Sequence, residues 1–401
     1  MIFEFLALFL GVIAGTITGL IPGIHINLVA IFLVSSSAFF LKFTSPLSLA
    51  IFIVSMSITH TFLDFIPSIL LGAPDEDTSL SILPGHELLL KGRGYEAIIY
   101  TLYGSIIAIP IILLFTPLFI FILPKIFFYL KFIMFFILVF ISSYLIIREE
   151  NKLLAFLIFL LSGFLGLATL NLSLKESLLP LLTGLFGSSS LITSIIKKEK
   201  IPKQKILNFK KIKPKIREIK NSIIATILAS PLCSFLPALG SSQAAVIGSD
   251  MTKEKNKKEF LILLGSINTI VMGLSFVTLY SIQATRTGSA VAVQKILENF
   301  TPNNLIIILA TIIFSSILAS FLTIFLARFF SKNVSRINYK YLSMAVLIFL
   351  AVVVFIFSNF LGLLIFIIAT FTGLAAILLK VRRTNLMGCL MLPSILLYLP
   401  I

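Results

Sequence analysis

Charged residues are scarce in this chain. Only 12% of its 401 residues are Asp, Glu, Lys or Arg, about half the share in a typical soluble domain. Hydrophobic residues make up 58% of the chain, more than one water-soluble core can bury. The composition therefore excludes a soluble globular protein and predicts a multi-pass protein of the cell membrane.

Several motifs that define function classes are also missing. Two cysteines, Cys233 and Cys389, are too few for a disulfide framework or a thiolate metal site, so both are expected to pack among helices. Neither H-E-x-x-H nor G-x-S-x-G occurs, and the G-x-G-D element of intramembrane aspartyl proteases is absent. The glycine-rich stretch 83–97 has no phosphate-loop spacing. We expect no enzyme and no cofactor beyond a coupling Na⁺ or H⁺.

The chain contains long apolar stretches, among them 152–170, 341–358 and 360–379. They lack the short alternation of membrane barrels, and a spanning helix needs about 20 apolar residues. The fold class is therefore an all-α polytopic membrane protein with about ten to twelve spans. Residues 197–220 carry eleven of the 32 Lys and Arg, which predicts a cytoplasmic loop. It divides the chain into transmembrane halves at 1–196 and 221–401.

The two halves share proline-centred breaks inside apolar stretches. GLIPGIHINLVAIFL (19–33) aligns with SFLPALGSSQAAVIG (234–248), which sets Pro22 on Pro237. Residues 55–80 align with the segment from 264 onward and set Asp77 near Arg286. Interrupted helices at corresponding places in two halves are the best sequence indication of a transporter's binding site.

Each break is a candidate anion site. A helix that restarts after a break exposes unpaired backbone N–H groups and partial positive charge. A proline kink with a polar cap is the alternative for either break alone. The candidate residues are Pro22, Gly23, His25 and Asn27 at the first break, and Pro237, Ser241, Ser242 and Gln243 at the second.

Ionisable groups cluster in the first half. An ionisable side chain at membrane depth costs at least ~2.5–3.5 kcal/mol, so the cluster needs partners, water or a function. Asp64 is either a protonatable coupling residue or a buried acid bonded to a neighbouring helix. Asp75, Asp77 and Thr78 are candidates for a coupling cation, since hard cations prefer such oxygens; a solvated mouth loop is the alternative.

Two basic features complete the candidates. Arg286 is the one cation of the second-half motif region, and its planar guanidinium suits a substrate carboxylate. The K-G-R-G turn at 91–94 is either structural or a gate or anion contact.

Taken together, these motifs resemble a family. GTITGLIPGIHIN, the Pro74–Ala97 stretch, and SFLPALGSSQAA followed by Asn268 in a polar stretch are similar to the TctA-type large permease subunit of the tripartite tricarboxylate transporters. The Ile- and Lys-rich usage is typical of an archaeal branch. The resemblance implies a carrier of citrate-like carboxylates with two inverted repeats, and substrate loops at Pro22–Asn27 and Pro237–Gln243, the latter including Gly240. It also implies a small membrane subunit and an extracytoplasmic binding protein as partners.

The expected function is thus a secondary transporter of a carboxylate-like anion, coupled to Na⁺ or H⁺. A translocase of a lipid-linked polyprenyl phosphate is one alternative, because paired anion sites would suit that headgroup. An intramembrane enzyme acting on lipid or peptide is another. Membrane lipids and the anionic substrate are expected partners, a homo-oligomer is open, and nucleic acid is excluded because Lys and Arg gather in loops.

Overall fold

Helices make up most of the chain that the structure describes. A computed structural model describes residues 2–21, 26, 29, 33–34, 37–72, 78, 82–172, 174, 176–196, 201–235, 240–252, 256–285, 287–297, 299–336 and 338–399. These residues include no strand, which confirms the all-α fold class.

The helices follow the apolar stretches of the sequence. The first half contains α1 (Ile2–Leu20), α2 (Ser37–Phe40), α3 (Pro46–Leu63), α4 (Phe65–Leu71), α5 (Ile82–Leu90), α6 (Gly94–Phe121), α7 (Leu123–Ile147), α8 (Lys152–Leu170), α9 (Leu178–Leu182), a π-helical turn (Thr183–Ser188) and α10 (Ser189–Ile196). After a 3₁₀ turn (Phe209–Lys211) come α11 (Ile216–Phe235), α12 (Ser241–Met251), α13 (Lys257–Ile282), α14 (Gly288–Leu297), α15 (Pro302–Val334), α16 (Tyr339–Leu378), a second 3₁₀ turn (Arg383–Met387) and α17 (Gly388–Leu397).

Within the described ranges, eight helices are long and apolar enough to cross a membrane, or nine with the bent pair Leu123–Leu130 and Phe132–Ile147. Helix α16 counts once among them, although its 40 residues would extend about 60 Å, twice the hydrocarbon thickness. The backbone of Asn359 breaks it, with φ 57° and ψ −164°. Leu347 and Ile367 line one cavity although a straight helix would separate them by about 30 Å. The two arms of α16 therefore fold back on each other, and counting both raises nine spans to ten.

Two segments lie at the centre of the molecule. The nearly continuous α3–α4 segment, Pro46–Leu71, and helix α13 are each 94% buried over their apolar windows, against 33–56% for the other candidate spans. The outer helices present large apolar side chains to lipid, as Phe128, Phe132 and Phe136 of α7 do. Polar groups on α3 and α13 are consequently shielded from lipid by protein.

Glycines bring the central helices into backbone contact with their neighbours. Gly11, Gly15 and Gly19 form one stripe of α1 against α3, the small-residue spacing that membrane helices use for close approach. Between α6 and α13, a Cβ atom on Gly104 would lie 2.0 Å from the carbonyl oxygen of Ile262. A larger residue therefore does not fit there without moving a backbone.

The helix order repeats across the basic loop, but several of the close pairings cross between the halves. Helix α13 of the second half packs on α6 of the first, and α3 packs on α15. Likewise α5 contacts α13, and α14 contacts α3. Each central helix is therefore held by long and short helices of the other half. This exchange is compatible with two related halves, and the division at the basic loop stays a prediction.

The basic loop lies against the K-G-R-G turn. The Gln204 side chain accepts a hydrogen bond from the Gly94 N–H at 2.7 Å and donates to the Leu89 carbonyl at 3.0 Å. The Phe209 ring stacks on that of Tyr103, with centroids 5.5 Å apart. These contacts favour the structural interpretation of the turn, which fastens the loop to α5 and α6.

We expect Gly265→Ala to destabilise the protein. Its new Cβ would lie 2.2 Å from the Thr101 carbonyl oxygen, and overpacking of this kind costs about 1–3 kcal/mol. Thermal unfolding of the purified protein should show a lower Tm. Gly187→Ala is the matched control, because its Cβ would come no closer than 3.6 Å to Leu350. Equal Tm values for the two variants would contradict close packing of α6 and α13.

Candidate functional site

A buried polar crossing joins α3 and α13. The hydroxyl oxygens of Thr61 and Thr269 lie 3.3 Å apart, and the Asn268 amide donates to Asp64 Oδ2 at 2.9 Å. All four side chains are at most 4% exposed. Thr61 and Thr269 lie about 22 and 18 Å from the starts of their helices, near the middle of segments about 39 Å long. The crossing therefore lies near the middle of both segments.

Asp64 lies between the end of α3 and the start of α4. Its helical backbone (φ −60°, ψ −22°) keeps the two segments nearly continuous. The Ser68 hydroxyl donates to the Asp64 carbonyl at 2.6 Å and lies 2.7 Å from the hydroxyl of Thr78, which is fully buried. We call Asn268, Asp64, Ser68 and Thr78 the polar chain. It brings together three predicted site residues and one that the sequence reasoning missed.

A matching contact occurs in the second half. The Thr287 hydroxyl donates to Ser275 Oγ at 2.8 Å, and Thr285 donates to the Ser275 carbonyl at 3.2 Å. The sequence alignment that sets Asp77 near Arg286 also pairs Thr78 with Thr287. In each half, therefore, a threonine fastens the loop after the central helix to a serine near the end of that helix.

His60 is a further polar group of this region. It lies one helical turn before Asp64, is 4% exposed, and its Nδ1 is 3.1 Å from the Thr18 hydroxyl on α1. Helix α1 leads directly into the first break. The sequence carried no signal for Thr18, Thr61, Ser68 or Ser275, because hydroxyl residues are common throughout its helices.

The second break leads into α12. The Ala244 N–H donates to the Gly240 carbonyl at 3.2 Å as the first bond of the helix, and the N-cap residue, Gly240, has no side chain with which to cap the start. Ser241, Ser242 and Gln243 are at most 1% exposed. The start of α12 lies about 15 Å from its C-terminal end, and Asn268 lies about 16 Å along α13 from the same turn. The start of α12 and Asn268 are thus both well removed from the turn that joins the two helices.

Other predicted residues lie outside the described part of the chain and stay predictions. They are Pro22, Gly23, His25 and Asn27 at the first break, Pro237 at the second, Asp75 and Asp77 in the acidic run, and Arg286. Cys233 and Cys389 are buried, as expected. Among the described residues, no group of three or more His, Cys, Asp or Glu has the arrangement of a metal site.

A double-mutant cycle of Asp64→Ala and Asn268→Ala tests the charge state of the acid. We expect a coupling energy of about 1.5–3 kcal/mol if Asp64 is ionised, and about 0.5–1.5 kcal/mol if it is neutral. Equilibrium unfolding in mixed micelles gives the four free energies. As a control, the exposed Asn171 donates to its own helix, so Asn171→Ala should be additive with Asp64→Ala within about 0.5 kcal/mol. Additivity of the Asp64 and Asn268 variants would rule out an energetic link.

Comparisons with known proteins identify the family of this chain. Residues 5–388 match the family model described as "Tripartite tricarboxylate transporter TctA family". An uncharacterized protein of Methanocaldococcus jannaschii is 32% identical over 406 residues, covering 98% of each chain. No solved structure matches. The chain therefore belongs to the TctA family of tripartite tricarboxylate transporters.

Proposed function

We propose that this permease is a secondary transporter of a carboxylate-type organic anion, coupled to Na⁺ or H⁺. Family membership makes it a multi-pass permease of the tricarboxylate transporter type; the substrate class and the coupling are our proposal. The observation that carries it is the buried start of α12, a helix N-terminus whose first turn includes the fully buried amide of Gln243.

The start of α12 suits an anion. Its first N–H groups have no acceptor within the helix, and the helix dipole places partial positive charge there. Shielding from water strengthens such interactions, because the local dielectric is low. The proposed partners for the substrate's carboxylates are the turn Gly240–Gln243, its counterpart at Pro22–Asn27, and Arg286.

The polar chain suits a small cation or a proton. Asp64 supplies a carboxylate, and Ser68 and Thr78 supply hydroxyl oxygens, the donor types that hard cations prefer. Asp75 and Asp77 precede Thr78 and would add charge. The Asp64–Asn268 bond links this acid to the helix that flanks α12. Loading a positive charge there would offset the charge of the substrate anion.

Movement is proposed to occur where α3 crosses α13. Backbone contacts at glycines hold α1 to α3, α6 to α13, and α12 to α11 through Gly248 and Ala225. The described contacts of α3 with α13 include side-chain hydrogen bonds, which re-form after a small shift more easily than backbone packing. The two groups of helices would then rock about the crossing.

Proteins of this family work with a small membrane subunit and an extracytoplasmic binding protein. We propose that this permease receives its anion in the same way, from a soluble binding protein at the outer surface.

A thermal-shift screen of carboxylates, with and without Na⁺, tests the proposal. A true ligand raises Tm with concentration, since binding only the folded state stabilises it. A shift that requires Na⁺ identifies the coupling ion at the same time. Arg286→Ala should abolish the shift and the uptake of that anion into proteoliposomes, whereas Arg336→Ala, in an exposed turn, should leave both unchanged. Unchanged uptake by Arg286→Ala would refute its assigned role, and the absence of any carboxylate ligand would refute the substrate class.

Cross-linking tests the motion. In a background without Cys233 and Cys389, Thr61→Cys with Thr269→Cys should form a disulfide that blocks uptake until it is reduced. The control pair is Thr226→Cys with Ser266→Cys, whose native hydroxyls lie 2.5 Å apart between α11 and α13. That bond lies within one proposed moving group and should leave uptake intact. Full uptake with the first pair oxidised would overturn the proposed motion.

A further inference from the structure

The side chain of Gln243 is set apart from the other buried amides. It is fully buried, and among the described residues neither its Nε2 nor its Oε1 atom has a hydrogen-bond partner. By contrast, the buried amide of Asn268 donates to Asp64, and that of Asn385 donates to Glu149 at 3.1 Å. Gln204 uses both ends of its amide against α5 and α6. Gln243 is thus an exception that needs an explanation.

An amide with both ends unpaired in a dry site is unfavourable. It carries two donors and one acceptor, all of which lose water on burial. An apolar side chain of similar volume would avoid that cost. The amide is therefore best explained by a partner outside the chain that pairs with both ends.

The surroundings of Gln243 define what that partner offers. Gln243 is the third residue of α12, and the helix's first internal bond is made by the Ala244 N–H. Backbone N–H groups of the first turn are donors only, so they and Nε2 favour a carboxylate. A carboxylate has no proton to donate and leaves the amide oxygen unpaired. This holds whichever way the amide is turned, because one end always donates and the other accepts.

The missing donor is best supplied by a hydroxyl group. An ammonium group could also donate, but its positive charge is disfavoured at a helix N-terminus. A protonated carboxyl group is scarce at neutral pH. A hydroxyl is neutral and can donate to Oε1 while a carboxylate on the same molecule accepts from Nε2 and the helix start.

We infer that the anion site at the start of α12 selects hydroxycarboxylates over carboxylates that lack a hydroxyl, and that the Gln243 side chain binds the hydroxyl. The inference rests on the proposed function, since it takes the start of α12 as the anion site. It adds a substrate class and a residue that determines specificity. A site built around a substrate hydroxyl rejects the analogue that lacks it, because its own polar group is then left unpaired.

Two pairs of probes differ by a single hydroxyl: citrate against propane-1,2,3-tricarboxylate, and malate against succinate. Calorimetry on the purified full-length protein, in Na⁺ buffer, gives the ratio of Kd values for each pair. For the wild type we expect the hydroxylated member of at least one pair to bind at least about tenfold more tightly. Gln243→Met should reduce that ratio to about one. Gln294→Met is the matched control, because its amide makes a solvent-exposed hydrogen bond to the Gln283 carbonyl, and it should keep the wild-type ratio.

The outcomes separate this inference from the proposed function. If carboxylates bind but both wild-type ratios are near one, or if Gln243→Met keeps the preference, the inference is wrong and the anion site stands. If no probe binds the wild type, the proposed substrate class fails. Should Gln243→Met not fold, Gln243→Glu carries the test, because it keeps an acceptor but adds negative charge. It should bind both members more weakly and retain the hydroxyl preference; loss of that preference would overturn the assignment.

Discussion

The structure depends on how buried polar groups are satisfied without water. A hydrocarbon environment supplies no hydrogen bonds, so each buried polar group needs a partner inside the protein. The crossing of α3 with α13 meets this requirement by setting Asn268 against Asp64 and Thr61 against Thr269. These contacts fix where the two central segments cross. Because both segments are 94% buried, the remaining helices act as their shield from lipid.

Close packing by glycine then decides which helices surround that crossing. Hydrophobic burial gives little preference between apolar helices in lipid, so backbone approach and hydrogen bonds select the neighbours. Gly104 and Gly265 bind α6 to α13, while the stripe through Gly15 binds α1 to α3. Each central helix is thereby held by a long helix of the other half as well as one of its own. Such an exchange ties the two parts of the chain together as one folding unit, whereas the described polar contacts at the crossing are made by side chains.

Many of the helix bounds could be predicted from the long apolar stretches and from the residues that interrupt them. The apolar stretch 152–170 is helix α8 to the residue, and the separate stretches 341–358 and 360–379 meet at the break of Asn359. The sequence also predicted that a helix restarts after the second break, and α12 begins there at Ser241. Pairings between helices could not be predicted, because lipid-facing and protein-facing residues are both apolar here. Ser68 and Ser275 were missed for a related reason: a serine in a membrane helix usually bonds to its own backbone, and its sequence does not say when it bonds elsewhere.

Two buried amides show how structure can separate a polar group that the fold satisfies from one that it leaves unpaired. Asn268 and Gln243 are both nearly inaccessible, and composition alone treats them alike. Asn268 has its acceptor within the protein, on a helix of the other half, so its role in the fold explains its presence. Gln243 has neither donor nor acceptor satisfied among the described residues and stands on the first turn of a helix, where the N–H groups have no acceptor within the helix itself. No hydrogen bond formed on folding among the described residues offsets the free energy of burying this amide. We therefore infer that ligand binding offsets it. That asymmetry, more than the proline break that introduces α12, is the observation behind our inference that this helix contacts substrate.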